Sequence, residues 1–183
     1  MEALRMRPFR YETDLEKLYA YMTEPYTQAL FSNKMQINTL QAFERWITEM
    51  LHTEYHDFFM IENASGNTVG FTFSYAFFPN DRHCKFTLCL FEEYVNHGVG
   101  VIAAAQMIDY LFSAYSLNQI FTAVFAYNQE SLSVHQNSGF CKVGELPNYR
   151  FFNGSYHSLH WYVMEKEVFY HRAKQLLERI KKN

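Results

Sequence analysis

Residues 94–112, YVNHGVGVIAAAQMIDYLF, carry the strongest structural signal in the chain, because a short loop with two glycines runs directly into a helical pattern. In that pattern apolar side chains recur at spacings of four and three residues: Val101, Ala105, Ile108, Phe112 and Tyr115. A loop that enters the N-terminus of a helix exposes unpaired backbone N–H groups at the positive end of the helix dipole. Gly98 and Gly100 would let the main chain approach a phosphate closely, and they fit a plain tight turn equally well.

The dinucleotide-binding fingerprint GxGxxG does not fit this loop. Ala103 stands where the third glycine would be. The strands expected upstream form a meander, whereas the fingerprint belongs to a strand–helix–strand unit. The loop is therefore of a different type.

The composition predicts one folded domain over residues 1–183. Of the 183 residues, 49% are hydrophobic and 19% charged, which separates the chain from disordered proteins. The formal charge is -3, from 19 acidic and 16 basic residues, and the basic run RIKK stands at the extreme C-terminus, so we expect no nucleic-acid partner. The chain lacks a signal-peptide pattern and an apolar run of the roughly 18 residues that span a membrane. With three cysteines in no regular framework, these features predict a cytoplasmic protein without membrane association, metal or disulfide.

The first half of the chain predicts two helices followed by three strands. A strand at residues 3–9 precedes a helix that begins with a capping box at Thr13, and a second helix begins near Thr39. Residues 56–78 predict a hairpin around the turn NASGN, and residues 83–91 predict a third strand. Three successive strands imply an antiparallel meander.

The second half, after the glycine loop, has a mixed α/β pattern. Residues 119–127 predict a buried strand, and the short helix after it ends at Gly139. Two further strands surround the turn NGS, and a C-terminal helix is expected at about residues 167–181. The segment 156–164 has the character of a sheet edge, which would suit a homodimer.

A second ordered motif lies at residues 125–144, FAYNQESLSVHQNSGFCKVG. Asn128 ends a strand, a short helix follows, and Gly139 and Phe140 open the next strand. Together with residues 94–112, this segment resembles the GNAT superfamily of acetyl-CoA-dependent N-acyltransferases. The opening strand and helix and the last two strands resemble the RimJ/RimL-like branch of that superfamily.

The resemblance implies an α/β fold, namely a single GNAT-type domain with a mixed, mostly antiparallel, splayed sheet flanked by helices. It also implies acetyl-CoA as the cofactor, with the diphosphate on the backbone amides of residues 96–101. The cofactor-binding residues that it implies are Leu90, Phe91, Val95, Asn96, His97, Gly98, Val99, Gly100, Val101, Asn128 and Ser131. Val95 replaces the usual Arg or Gln of the family and Ser131 its usual Ala, and both replacements leave the backbone amides intact.

The resemblance further implies that an amine attacks the thioester directly, which calls for an oxyanion donor, a base and an acid. The backbone N–H of Leu90 or Phe91 is the expected donor. His135 stands where the family has a tyrosine credited with protonating the leaving thiolate, and an imidazolium is a stronger acid than tyrosine. Tyr127 and Tyr149 are substitute candidates, and a helix-surface histidine without a catalytic role is the other interpretation of His135.

Glu92 and Glu93 are the candidate bases, since they follow the strand at residues 83–91. They could hold a cationic amine or accept its proton through water, or they form a solvated pair at a strand end. Cys89 would suggest an acyl-cysteine route, but nothing in the sequence pairs it with a histidine base. We expect direct transfer from acetyl-CoA to a primary amine of a small molecule or a protein N-terminus. A non-catalytic acyl-CoA-binding or regulatory domain is the alternative, because the family's tyrosine is missing.

Overall fold

The computed structural model of the chain describes residues 4–31, 39–95 and 98–173. The elements in chain order are β1 (Arg5–Pro8), α1 (Tyr11–Thr23), α2 (Pro25–Leu30), α3 (Leu40–His52), β2 (Phe58–Glu62), β3 (Thr68–Phe78), β4 (His83–Leu90), a 3-10 turn (Glu92–Tyr94), α4 (Val99–Ala114), β5 (Gln119–Phe125), α5 (Gln129–Ser138), β6 (Cys141–Phe152) and β7 (Ser155–Glu165). Residues 166–173 are helical and form the described part of α6, and the rest of the predicted C-terminal helix lies outside the described residues.

The strands form one mixed sheet in the order β1-β2-β3-β4-β5-β7-β6. β4 and β5 pair in parallel, whereas β1 with β2, β2 with β3, β5 with β7 and β6 with β7 are antiparallel. The predicted α/β fold with a mixed, mostly antiparallel sheet is confirmed. The prediction of a sheet edge at residues 156–164 is wrong, because β7 pairs with β5 on one side and β6 on the other. The strands at the two edges are β1 and β6.

The chain forms two compact units. The first comprises Met1–Phe77 and Phe86–Met107, and the second comprises Phe78–Lys85 and Ile108–Asn183. The first unit has an aromatic core. α3 follows its cap, Thr39, close to the predicted start of the helix, and it buries Phe43, Trp46 and Ile47. Against it pack rings from β2 and β3, stacked with centroids 5.7–6.4 Å apart: Phe58, Phe71 and Phe73. Such rings bury large apolar areas, so they dominate the hydrophobic stabilisation of this unit.

In the second unit, the end of α5 is fixed by a glycine and a cation. Gly139 has a φ of +94°, the left-handed conformation that favours glycine. A β-carbon there would lie 2.6 Å from Nε of Arg172, whose Nη1 donates a hydrogen bond to the carbonyl of Asn137 at 3.0 Å. Arg172 belongs to α6, so α6 places a positive charge at the C-terminus of α5, where the helix dipole favours it.

The predicted capping box at the start of α1 is wrong. The helix begins two residues before Thr13, at Tyr11, and the residue at its cap is Arg10. The backbone N–H of Arg10 is satisfied instead by the carboxylate of Asp14, at 2.8 Å. α2, which begins at Pro25, was absent from the sequence prediction.

The buried side of α4 also differs from the prediction. Of the predicted stripe, Ile108 and Phe112 are buried, whereas Val101 is 46% exposed and Ala105 is also exposed. The other buried side chains of the helix are Val99, Ala103, Met107 and Leu111. The first turns of this helix are apolar on every side, so the spacing of its apolar residues does not fix which side packs inward. The helix itself was predicted correctly.

A buried ion cluster joins β1, α1 and β2. The Arg7 guanidinium donates two hydrogen bonds to the Asp14 carboxylate, at 2.5 and 2.8 Å, and a third from Nε to Glu62 at 2.5 Å. Burial by itself would raise the pKa of Asp14, but the hydrogen bonds and charge of Arg7 outweigh burial and hold that pKa below its usual range. Hydrogen bonds from Arg7 and Arg5 lower the pKa of Glu62 in the same way.

We predict that Asp14→Asn lowers the free energy of unfolding at pH 7 by about 3 kcal/mol, because it leaves the buried Arg7 charge without its main partner. Both carboxyl groups have lowered pKa values in the folded chain. Their stabilisation is therefore complete above the ordinary carboxyl pKa of about 4 and is lost as the pH falls through the lowered values. Urea denaturation at pH 7 and at pH 3 measures both effects. Glu145→Gln, which removes an exposed partner of Lys142, is the control and should change little. An Asp14→Asn variant as stable as the parent at pH 7 would contradict the prediction.

Candidate active site

The N-terminus of α4 offers backbone donors to an anion. Gly98 precedes the helix with a φ of +73°, and its carbonyl accepts from the backbone N–H of Ile102 at 3.4 Å. The amides of the first helical turn, at Val99, Gly100 and Val101, have no acceptor within the helix itself. The first turn carries no acidic side chain that would repel an anion. Asn96 and His97, which were predicted to share this role, lie outside the described residues.

The two glycines of this loop differ in how strictly the structure requires them. Among the described residues, no heavy atom lies within 4 Å of the place where a β-carbon of Gly98 would stand. Glycine is thus required at position 98 for the left-handed backbone conformation, which other residues rarely adopt. A β-carbon on Gly100 would lie 3.4 Å from Cδ1 of Leu90, which is the limit of ordinary van der Waals contact with a flexible side chain, so packing does not require glycine there.

The end of β4 lies very close to β3. A β-carbon on Gly70 would overlap the carbonyl oxygen of Cys89, so glycine is required there. The backbone N–H of Phe91 donates to the carbonyl of Val69 at 3.0 Å. Phe91 was one of two predicted oxyanion donors, and its N–H is already used within the sheet. Of the two, Leu90 is therefore the better candidate.

Cys89 is a poor nucleophile in this environment. Its side chain is buried, and burial raises the pKa of the thiol to about 12. Since the thiolate is the reactive form, almost none of this residue is reactive near pH 7. This geometry disfavours the acyl-cysteine route.

Glu92 and Glu93 are exposed and belong to the 3-10 turn that follows β4. The hydroxyl of Tyr21 donates a hydrogen bond to Oε1 of Glu93 at 3.0 Å. The Tyr21 ring stacks on Phe91 with the centroids 3.3 Å apart and the planes 5° from parallel. Glu93 is therefore joined to α1 and to the end of β4. Its side chain is held more firmly than it would be in a solvated pair of glutamates.

Tyr21 is a residue of this site that sequence reasoning missed. It lies 72 residues before Glu93, and no local pattern connects the two. Burial, the Glu93 hydrogen bond and then the negative charges of Glu93 and Glu24 raise its pKa to about 12. The hydroxyl thus remains protonated and able to donate. The effect of Glu24 also shows that a second carboxylate lies near this tyrosine.

Asn128 and Ser131 meet at the start of α5. Asn128 is the cap of the helix, and its side-chain Oδ1 accepts from the backbone N–H of Ser131 at 3.1 Å. Such a cap fixes where the first turn of the helix begins. The two residues predicted to bind the cofactor here thus also support the helix on which they stand.

His135 does not have the geometry of a resting acid. Its Nδ1 lies 2.7 Å from the carbonyl oxygen of Ser131, and a carbonyl can only accept, so Nδ1 carries the hydrogen. Burial lowers the pKa of the imidazole, which favours the neutral ring. In that ring Nε2 has a lone pair and no proton to give. The expectation that His135 protonates a leaving thiolate conflicts with this arrangement.

The substitute acids are held differently from each other. Tyr127 packs between the rings of Phe125 and Phe152, at centroid distances of 5.2 and 4.5 Å, and burial raises its pKa. Tyr149 is 47% exposed. Tyr127 therefore resembles a packed aromatic side chain, while Tyr149 lies at the surface of β6.

The structure thus groups the candidates within each unit. In the first unit, the loop and the end of β4 bring together Leu90, Glu93, Gly98, Gly100 and Tyr21. Val95 completes the 3-10 turn, with its N–H donating to the carbonyl of Glu92 at 3.3 Å. In the second unit, α5 carries Asn128, Ser131 and His135 within two helical turns.

Within the described ranges, no helix is long and apolar enough to cross a membrane. The same residues contain no group of three or more His, Cys, Asp or Glu side chains that could hold a metal ion.

Comparison with known proteins identifies one family. The family described as acetyltransferase (GNAT) domain matches residues 10–161. A Bacillus subtilis protein, SPbeta prophage-derived uncharacterized N-acetyltransferase YokL, is 24% identical over 124 residues, which cover 68% of this chain and 70% of that protein. Spermidine N(1)-acetyltransferase of Escherichia coli K12 is 29% identical over 75 residues, which cover 41% of this chain and 40% of the enzyme.

Solved structures show the same fold. Spermidine N-acetyltransferase of Vibrio cholerae in complex with CoA and spermine superimposes with a TM-score of 0.82 at 18% identity, covering 91% of this chain and 97% of that one. A chimera of the Vibrio cholerae enzyme with hSSAT gives a TM-score of 0.80 at 19% identity, with the same coverage. At these identities the similarity establishes the fold alone.

Proposed function

This chain belongs to the acetyltransferase (GNAT) family, and from that membership we propose that it transfers an acetyl group directly to a primary amine of a cationic small molecule. As a member it is an acetyltransferase that uses acetyl-CoA. Membership favours an enzyme over the binding-only alternative. Placement in the RimJ/RimL-like branch is part of the proposal. A cytoplasmic location is proposed as well. It is supported by the cysteines, which form no disulfide among the described residues: Cys84, Cys89 and Cys141.

The residues at the start of α4 fit the cofactor. The left-handed Gly98, the amides of the first turn and the absence of an acidic side chain from that turn together suit a diphosphate. Left-handed Gly98 at the head of this helix is the observation that carries the cofactor site. Asn128 and Ser131 on α5, in the second unit, stay predicted cofactor-binding residues. When bound, acetyl-CoA supplies the thioester carbonyl and the thiolate leaving group.

The chain's own residues supply the oxyanion donor and the proton acceptor. The Leu90 N–H would donate to the thioester carbonyl oxygen, where negative charge develops in acyl transfer. Glu93, oriented by Tyr21, holds the amine and accepts its proton through water, while Glu92 adds negative charge beside it. Bound acetyl-CoA would supply the carbon of the new nitrogen–carbon bond, and its carbon–sulfur bond would be the one that breaks. The amine proton leaves through Glu93, and the thiolate takes a proton from water.

A cationic acceptor is favoured by the charges around Tyr21. Glu93 and Glu24 both affect the pKa of this tyrosine, so two carboxylates lie near one aromatic ring. Carboxylates together with aromatic faces suit an ammonium group. Two of the matched proteins are named for spermidine, which supports a polyamine as the first acceptor to try.

A screen of acceptors with acetyl-CoA, read by mass shift, tests activity and substrate together. The panel contains polyamines, amino sugars, aminoglycosides and peptides with free N-termini. We expect a gain of one acetyl group on a polyamine and slower or no reaction with the peptides. Acetylation of N-terminal peptides alone would contradict a cationic small-molecule acceptor.

We predict that Gly98→Ala weakens CoA binding about tenfold or more, because alanine disfavours the left-handed backbone that aims the amides of α4. Gly66→Ala is the matched control. Gly66 has a φ of +80°, and like Gly98 it has no heavy atom of the described chain within 4 Å of the place where an alanine methyl group would stand, but it lies in the hairpin turn between β2 and β3. Isothermal titration calorimetry measures both. Equal CoA affinity in the two variants would refute the loop as the diphosphate site.

We predict that Glu93→Gln lowers kcat/KM for the best acceptor about 100-fold, since it removes the proton acceptor. Tyr21→Phe keeps the ring that stacks on Phe91 and removes only the hydroxyl, so its loss should be smaller and mainly in KM. Glu49→Gln, on the exposed side of α3, is the control. The role of Glu93 is wrong if Glu93→Gln has the steady-state kinetics of this control.

We also propose a homodimer through the edge strand β6. Phe151 of β6 and Tyr156 of β7 are 61% and 64% exposed, with ring centroids 5.2 Å apart. An exposed aromatic pair beside the edge of a sheet suits a second copy of the chain. Sedimentation equilibrium should show a dimer for the parent and a monomer for Phe151→Lys, while Leu40→Lys, at the start of α3, stays dimeric. A monomeric parent would overturn this proposal.

A further inference from the structure

α5 has few buried contacts to hold it in place. All ten of its residues, Gln129–Ser138, belong to the described part of the chain, and of these only Leu132 is buried. Leu132 packs with Val124 and Tyr162. A helix of about three turns is marginal on its own, and an element with few buried apolar contacts opens locally at a low cost in free energy. The position of α5 therefore depends on how its two ends are fixed.

The first end of α5 is fixed by its own cap, Asn128, whereas the last end is fixed by another helix, α6. Nη1 of Arg172 donates to the carbonyl of Asn137 at 3.0 Å, in the last turn of α5, where the helix itself supplies no donor. The Arg172 side chain runs close along the main chain at Gly139. Its Nε, Cδ and Cζ would lie 2.6, 2.8 and 2.9 Å from a β-carbon there. Glycine at position 139 thus leaves the space through which Arg172 reaches α5.

α6 is anchored on α4 by contacts that do not involve Arg172. The ring centroids of Phe169 and Tyr170 lie 5.9 and 6.2 Å from that of Phe112. Lys166, at the start of α6, donates from Nζ to the carbonyl of Phe112 at 3.1 Å. A substitution at position 172 is therefore expected to remove the contact with α5 and to leave α6 on α4.

We propose that α6 acts as a strap on α5, and that Arg172 is a positioning residue for Asn128 and Ser131, the cofactor-binding residues predicted on that helix. Arg172 acts through the helix, because its hydrogen bond is at the opposite end from those two residues. A helix fixed at both ends is already ordered, so less free energy is lost in ordering it when a ligand binds. This inference rests on the proposed function, because it concerns the predicted cofactor residues of α5.

Hydrogen exchange of the α5 backbone amides, followed by mass spectrometry without ligand, tests the strap. Arg172→Met keeps a long, unbranched side chain of similar helix propensity and removes the charge and the donors. We expect exchange in residues 132–138 to become about fivefold faster, because the lost hydrogen bond lowers the cost of opening the helix. Arg172→Lys returns a charge and a donor, and we expect most of the protection to return.

Lys166→Met is the matched control. Lys166 belongs to the same helix and likewise donates to a carbonyl in the last turn of a neighbouring helix, but that helix is α4. We expect α5 to exchange as slowly in this variant as in the parent. If Lys166→Met and Arg172→Met speed the exchange of α5 equally, α6 loosens as a whole and the specific role of Arg172 is wrong.

Affinity for CoA, measured by calorimetry, tests the positioning role. We expect about threefold weaker binding in Arg172→Met and binding equal to that of the parent in Arg172→Lys and Lys166→Met. In steady-state kinetics, KM for acetyl-CoA should rise by the same factor in Arg172→Met with kcat unchanged. A variant that was merely less folded would instead lose kcat, because fewer molecules would be active.

The outcomes separate this inference from the proposed function. If α5 exchanges equally fast in the parent and in Arg172→Met, the strap is wrong. If exchange is faster but CoA affinity is unchanged, the positioning role is wrong. In both cases the proposed function stands as long as the parent binds CoA. If the parent has no affinity for CoA, the proposed function fails and the positioning role fails with it, while hydrogen exchange still decides whether α6 straps α5.

Discussion

The left-handed backbone of Gly98 is the constraint on which the proposed cofactor site depends. It turns the chain from the segment after β4 into α4, and so determines where the first amides of that helix point. Such amides bind an anion through fixed partial charges and need no lysine or arginine. For that reason a chain with a formal charge of -3 and no basic cluster before its C-terminus can still hold a diphosphate.

The buried ion cluster of the first unit links stability to the proposed base, Glu93. Arg7 holds Asp14 in the first turn of α1, and Tyr21 in the last turns of the same helix stacks on Phe91. A helix is stiff over 13 residues, so fixing one end restricts the other. The position of Glu93, which accepts a hydrogen bond from Tyr21, thus depends on an ion pair that has no role in the proposed chemistry.

The sequence predicted what local patterns control and missed what distant contacts control. The hairpin of β2 and β3, the start of α3 near Thr39 and the strand and helix order after α4 all follow from spacing and turn residues, and the structure has them. Thr13 was assigned the cap of α1 because its own neighbours fit, but Asp14 is committed to Arg7 and takes the cap's N–H as well. Tyr21 and the edge position of β6 depend on partners far along the chain, which no local pattern encodes.

The residue type at a replaced motif position does not by itself determine whether the side chain donates or accepts a hydrogen bond. A histidine at the position where the family resemblance implies a tyrosine would keep a proton donor if residue type decided the matter, since both side chains can donate. The carbonyl of Ser131 decides otherwise, because it takes the one hydrogen of the neutral ring at Nδ1 and leaves Nε2 as an acceptor. A second proton on the His135 ring would make Nε2 a donor. Burial between Phe140 and Tyr162, however, disfavours the positive charge of the doubly protonated ring. The backbone of α5 therefore determines the polarity of this position, and the same substitution on a helix without that hydrogen bond would have the opposite character.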